Sequence, residues 1–291
     1  MSLIQALFLG FLQGITEFLP ISSSGHLTIL QNIWNMDGAT GILLDTCLHI
    51  GTLIVVCFAF QSDIKRILLE FFRIFYDLYY NVHTIIYNRK QSEVKRYRKL
   101  ISNNYRKLIF LILVSTIPTY IQGYFLRDSV ILAQNNLLAP GIGFFITAVL
   151  LFIVDFFPAG KKIPNSTSYS IALIIGLFQG ISVFPGVSRL GMTLTACLLC
   201  GFNRKFALKY SFLISIPAIT GATLLELRQL PSHSISLSLA GNYLAAAIAA
   251  AITGFFCIRP MLRFLRNKKF RFFSIYCFFA GILAVACNFL L

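Results

Sequence analysis

Hydrophobic residues along this chain come in long runs rather than in narrow stripes, and few places interrupt them. Six unbroken stretches, roughly 42–60, 108–126, 138–157, 210–227, 237–258 and 272–291, approach or exceed the length that suggests a membrane-crossing helix. Two further apolar regions, 1–36 and 169–201, are broken midway, the first by Pro20 and the second by Pro185-Gly186. Proline removes a backbone donor and glycine frees the backbone, so each region predicts a helix, a break and a second helix. The pattern predicts an all-α polytopic membrane protein, with one membrane domain over residues 1–291.

Composition agrees. Of 291 residues 57% are hydrophobic and only 12% are charged, a balance that excludes an ordinary soluble domain. The net charge of +15 raises nucleic acid as a partner, but its placement argues against one. All of the 25 Lys and Arg residues except Arg127, Arg189 and Arg228 fall in the segments 65–107, 161–162, 204–209 and 259–271, between apolar runs. Under the positive-inside rule these are cytoplasmic loops, so the basicity sets orientation and adds some attraction for anionic lipid. The opening MSLIQALFLG has no basic stretch, so no cleaved signal peptide is expected. Cys197 and Cys200 form a C-x-x-C within an oily helix, which reads as packing rather than metal or redox chemistry.

With the basic loops inside, the C-terminus lies outside and the chain divides into two halves of opposite orientation. Repeat one covers about 1–160 and repeat two about 165–291, each a broken, re-entrant-like hairpin followed by three spans. Such an inverted repeat places a site at the membrane midplane between the broken helices. Residue identities support the symmetry. Gly10, Gln13, Gly14, Ile15 and Phe18 recur as Gly176, Gln179, Gly180, Ile181 and Phe184. After one skipped position, Pro20 and Ser23 recur as Pro185 and Ser188. The cytoplasmic insertion at 61–107 contains RILLEFFRIFYDLYYNVHTIIYNRK, which predicts an aromatic, basic helix at the interface. It reads as a solvated amphipathic connector, with lipid contact as the alternative.

Ionisable groups inside apolar runs are costly and so mark function. Glu17, His26, Arg189 and the pair Asp45/His49 stand out; Asp155 and Glu226 sit near span ends and read as anchoring groups. Restarting a helix after Pro185-Gly186 leaves unpaired backbone N–H groups, a ready anion site. Ser188 and Thr193 add hydroxyls there, and Arg189 adds a planar fork suited to phosphate oxygens. In the first hairpin Ser22, Ser23 and Ser24 can cap the next helix, and Gly25 lets a ligand approach the backbone. Glu17 has no acidic counterpart, since Val183 takes its place. That asymmetry suits an enzyme, with Glu17 as base or cation ligand and His26 as nucleophile or proton donor.

QGITEFLPISSSGH and PGVSRLGMT, with LHIGT between them, resemble the bacterial undecaprenyl pyrophosphate phosphatases of the bacitracin-resistance type. The resemblance spans essentially the whole chain. It implies an inner-membrane hydrolase that removes the terminal phosphate of undecaprenyl pyrophosphate and recycles the lipid carrier for wall polymers. It also implies a divalent cation, Mg2+ or Ca2+, near Glu17 and Gln13. The catalytic group it implies is Glu17, Ser23, His26 and Arg189. Taken with the reading of the residues above, phosphate binding is expected at Ser22, Ser24, Gly25, Gly186, Ser188, Gly191 and Thr193, with Asp45, His49 and Gln179 in support. Two positions depart from the family pattern: Gln13 stands where a glutamate is usual, and Leu190 where a serine is usual. Attack by His26, by Ser23 or by metal-activated water all stay open. The rival expectation is a lipid-phosphate or anion transporter using the same midplane site. A homodimer stands among the partners the sequence allows.

Overall fold

The computed structural model describes residues 1–36, 38–90, 94–158, 160–227, 237–267 and 269–290. They form α1 (Leu3–Thr16), α2 (Ser23–Ile33), α3 (Gly38–Ala59), α4 (Gln61–Lys90), α5 (Asn104–Phe125) and α6 (Arg127–Gln134). Then come α7 (Leu138–Asp155), α8 (Tyr169–Ile181), α9 (Arg189–Leu199), α10 (Arg204–Leu227), α11 (Leu237–Asn267) and α12 (Arg271–Leu290). Six of these helices, α3, α5, α7, α10, α11 and α12, are long and apolar enough to cross a membrane, and they fall on the six long apolar runs. α11 runs beyond its expected end and carries Arg259, Arg263 and Arg266 in its last turns. α1, α8 and α9 are apolar but short.

The two breaks fall at the prolines, and both close with the same cap. After Pro20 the chain turns through Ser22, whose φ of 64° is in the left-handed region, and Ser22 Oγ accepts from the Gly25 N–H at 3.2 Å. After Pro185 it turns through Gly186 at φ 84°, and Ser188 Oγ accepts from the Gly191 N–H at 3.0 Å. Each hydroxyl satisfies one donor that a helix start leaves open.

Packing follows small residues. α1 lies against α11 where Gly10 and Gly14 face Ala246 and Ala250, and α8 lies against α5 where Gly176 faces Ser115. Backbones that approach this closely leave no room for a Cβ, the usual way helices associate in lipid. Hydroxyls at the α5–α8 contact are matched: Ser115 Oγ donates to the Ala172 carbonyl at 2.9 Å and Thr119 Oγ1 to the Gly176 carbonyl at 2.9 Å.

The insertion is a 30-residue helix, α4, tied to the bundle by charge. Asp63 accepts from Tyr105 Oη and Lys209 Nζ, both at 2.8 Å. Arg106, at the start of α5, donates from Nε to Glu70 Oε2 at 2.7 Å and from Nη1 to Asp77 Oδ2 at 2.6 Å. These hydrogen bonds hold the Glu70 and Asp77 carboxyls below their ordinary range. Carboxyls lowered in the fold contribute stability that is complete above their unfolded values of about 4 and fades as pH falls through the folded values. Arg106→Ala leaves Glu70 to the exposed Arg73, at 2.7 Å, and Asp77 to the exposed Arg98, at 3.0 Å. It should cost roughly 2 kcal/mol, read as a lower thermal midpoint in detergent. The deficit should shrink once the pH drops below about 4. A deficit independent of pH would assign the loss to packing instead.

Candidate active site

The tips of the two broken hairpins touch. A Cβ built on Gly25 would lie 2.7 Å from Gly186 Cα and 2.7 Å from the Phe144 ring, so only glycine allows this contact. The loop approach brings Glu17, at the end of α1, against Arg189, the first residue of α9.

Glu17 is the hub. Its Oε1 accepts from Arg189 Nη2, and its Oε2 accepts from Ser23 Oγ at 2.5 Å and from Gln13 Nε2 at 3.1 Å. The Glu17 side chain is 5% exposed and that of Arg189 23%. Arg189 keeps a second nitrogen, Nη1, that is buried and has no hydrogen-bond partner among the described residues. A guanidinium presents five donors in a rigid fork, so this one is poised to bind a further anion.

The pair opens onto a cavity of about 280 Å³. Glu17, Ser22, Ser23, Ser24, Asp45, His49, Gln179, Ser188 and Arg189 line it. Six of the residues singled out from the sequence are not on its wall. Gln13 is fully buried beneath Glu17 and supports it through the amide. Gly25 and Gly186 form the tip contact, and the Gly191 N–H is spent on the Ser188 cap. Thr193 turns back to donate to the Arg189 carbonyl at 3.0 Å.

His26 also points away from the cavity. Its Nδ1 is 2.7 Å from the Ser22 carbonyl and its Nε2 2.7 Å from Tyr276 Oη. The ring stacks on Tyr276 at 5.7 Å and meets Phe144 edge-on at 5.0 Å. With the carbonyl accepting, Nδ1 carries the proton and Nε2 accepts from the tyrosine hydroxyl.

The far wall adds two residues, Glu226 and Arg127, that the sequence did not assign to the site. Asp45 accepts from Gln31 Nε2 at 2.7 Å, Thr46 Oγ1 donates to Glu226, and both Glu226 and Arg127 line the cavity. Arg127 was visible as one of the few basic residues outside the basic segments. Glu226 reads as an anchor only because it stands near the end of an apolar run. Asp155 does act as an anchor, accepting from the Phe270 N–H at 2.6 Å.

A cavity walled by hydroxyls and an arginine, inside a bundle of membrane helices, suits a phosphate ester with a lipid tail. Comparison with known proteins points the same way. The family described as Bacitracin resistance protein BacA matches residues 6–283. The chain is 36% identical over 285 residues to an undecaprenyl-diphosphatase of Alkaliphilus metalliredigens, covering 98% of each protein. It is 35% identical to one of Methanosphaera stadtmanae over 98% of each, and 36% identical to one of Korarchaeum cryptofilum over 97% of this chain and 98% of that one. The match runs through both hairpins and every span, and the chain belongs to the bacitracin resistance protein BacA family.

Proposed function

We propose that this chain hydrolyses undecaprenyl pyrophosphate to undecaprenyl phosphate and inorganic phosphate, returning the lipid carrier to wall-polymer synthesis. One observation carries the reading: a serine hydroxyl bonded to a carboxylate that is itself bonded to an arginine, all on one cavity wall. A nucleophile, a proton acceptor and an anion clamp are what phosphoryl transfer asks of a protein. The prenyl tail lies along the apolar helices, and the pyrophosphate enters between the hairpin tips.

Arg189 sets the order of events. The incoming phosphate competes with Glu17 for the guanidinium, with Nη1 as first contact. Each bond it draws away leaves Glu17 better placed to take the Ser23 proton. Ser23 Oγ then attacks the terminal phosphorus and the bridging P–O bond breaks, releasing undecaprenyl phosphate. Water cleaves the resulting phosphoserine to inorganic phosphate, and the proton held on Glu17 returns to Ser23. Ser22, Ser24 and Ser188 supply hydroxyls for the equatorial oxygens, where charge builds in the transition state. His26, off the cavity, serves as a pin: it holds the carbonyl of Ser22, whose left-handed turn costs about 1 kcal/mol and aims Ser23. The rival transport reading has no use for a serine bonded to a carboxylate.

The donor set also suits a hard divalent cation. Mg2+ is commonly held by one or two carboxylates plus substrate phosphate oxygens and water. Here Glu17 would hold it and Gln13 would orient Glu17. When bound, the cation neutralises pyrophosphate charge.

The inverted repeat belongs to the same proposal. In its support, α1 packs on α11 as α8 packs on α5, and the matched glycines Gly10 and Gly176 make the two contacts. The first hairpin then opens outward and the second inward, in the inner membrane, with the basic loops cytoplasmic.

Ser23→Ala and Arg189→Ala should each lower phosphate release by about 10³-fold while the protein still inserts, Arg189→Ala with a lower thermal midpoint because Glu17 loses its partner. Acid quenching of wild type with substrate labelled in the terminal phosphate should trap label on Ser23; label on His26, or on no residue, would remove serine as nucleophile. Glu17→Gln should lower turnover and shift the Mg2+ titration, and an unchanged titration would take the cation away from Glu17. His26→Asn keeps a donor toward the Ser22 carbonyl, so it should retain a large share of kcat with an unaltered pH profile, where His26→Ala loses about 10²-fold or more. If Asn fares no better than Ala, His26 is acting on the proton and not on the loop.

A further inference from the structure

α4 is built inside out. Its buried face carries Asp63, Glu70, Asp77 and Thr84, spaced every seven residues along one stripe. On the same side Asn81 and Asn88 clamp the returning chain: Asn81 exchanges two hydrogen bonds with the Arg98 backbone, at 2.9 and 2.8 Å. Asn88 does the same with Lys95, at 3.0 and 2.9 Å. The opposite stripe is Leu68, Phe72, Phe75, Tyr79, Val82 and Ile86, and every one is at least half exposed, up to 71% at Tyr79. A helix in water would reverse this arrangement.

Its attachment fixes its direction. Asp63 reaches the starts of both α5 and α10, and Arg106 at the start of α5 reaches both Glu70 and Asp77. From 63 to 77 is about 21 Å of helix. A helix held over that length by the ends of two spans lies across the bundle end, level with the bilayer surface. It also follows directly on α3, itself a span.

The charge completes the picture. All three acids of α4 are spent in internal pairs. The exposed ions around this end of the molecule are basic: Lys65 and Arg89 flank the apolar stripe, Arg66 and Arg73 lie toward the acid face, where Arg73 pairs with Glu70, and Lys95, Arg96 and Lys99 stand on the returning segment. Two copies meeting on this stripe would set like charges together. An anionic bilayer meets the apolar and the basic demand at once.

We propose that α4 and the segment 94–100 form an anionic-lipid-binding face, an in-plane helix with Phe72, Phe75 and Tyr79 among the acyl chains and the basic flank at lipid phosphates. The chain has one tryptophan, Trp34, so Phe75→Trp or Tyr79→Trp in a Trp34→Phe background reports this face alone. The test is fluorescence of full-length protein in vesicles of phosphatidylcholine and phosphatidylglycerol, with normal pyrophosphate hydrolysis as the check on folding. Both tryptophans should be shielded from acrylamide and quenched by chain-brominated lipid. Bromine on phosphatidylglycerol should quench about twofold more than the same amount on phosphatidylcholine. Lys95→Glu/Arg96→Glu/Lys99→Glu should erase that preference while leaving the shielding. Acrylamide access without lipid quenching overturns the proposal. So does shielding that disappears at one protein per vesicle, which would make the occupant a second copy. Equal quenching by the two lipids overturns the anionic part.

Discussion

A carboxylate and a guanidinium held together among apolar helices dictate where much else must sit. Neither Glu17 nor Arg189 could stay charged alone at this depth, because an unpaired ion in such surroundings is destabilising by several kcal/mol. They begin on different hairpins, Glu17 closing α1 and Arg189 opening α9. The pair therefore requires the hairpin tips to touch, and that contact requires Gly25 and Gly186. The tips in turn need their helix starts satisfied without a side chain from outside, which the Ser22 and Ser188 caps provide. What looks like two separate motifs in sequence is one electrostatic requirement met from both ends.

On the proposed mechanism, the same pair explains how the attacking serine is kept quiet. Glu17 shares its oxygens among Arg189, Ser23 and Gln13, so no proton leaves Ser23 while the guanidinium is engaged. A multiply charged phosphate is the ligand best able to compete for that arginine. Substrate recognition and nucleophile activation become a single exchange of partners, and a neutral lipid entering the cavity would trigger nothing.

Much of this was legible in the sequence because hydrocarbon is an intolerant solvent. Long apolar runs gave the six spans, prolines gave the breaks, and ions stranded in oil gave Glu17, Arg189, Asp45 and His49. The limits lie where orientation depends on one backbone angle. Ser24 and His26 are two residues apart, so on a helix beginning at Ser23 they point to opposite faces. Only the start of α2, set by the turn at Ser22, says that Ser24 takes the cavity and His26 takes Tyr276. Partners distant in sequence were equally hidden: Gln31 for Asp45, Thr46 for Glu226 and Tyr276 for His26. Thr193 was misleading for a local reason, since a threonine inside a helix can satisfy itself on the preceding turn.

On the repeat reading, the site also shows why two matched halves had to diverge. By their caps Ser22 and Ser188 correspond, and the next residues are Ser23 in one half and Arg189 in the other. Glu17 faces Val183 across the same correspondence, and both line the cavity. Had each half kept a glutamate, two carboxylates would confront an anionic substrate; had each kept an arginine, no group would accept the serine proton. An ion pair across a pseudo-symmetry axis needs opposite signs, so the scaffold can stay symmetric only where it bears no charge. The glycines, prolines and capping serines recur for that reason, and the acid, the base and the histidine do not.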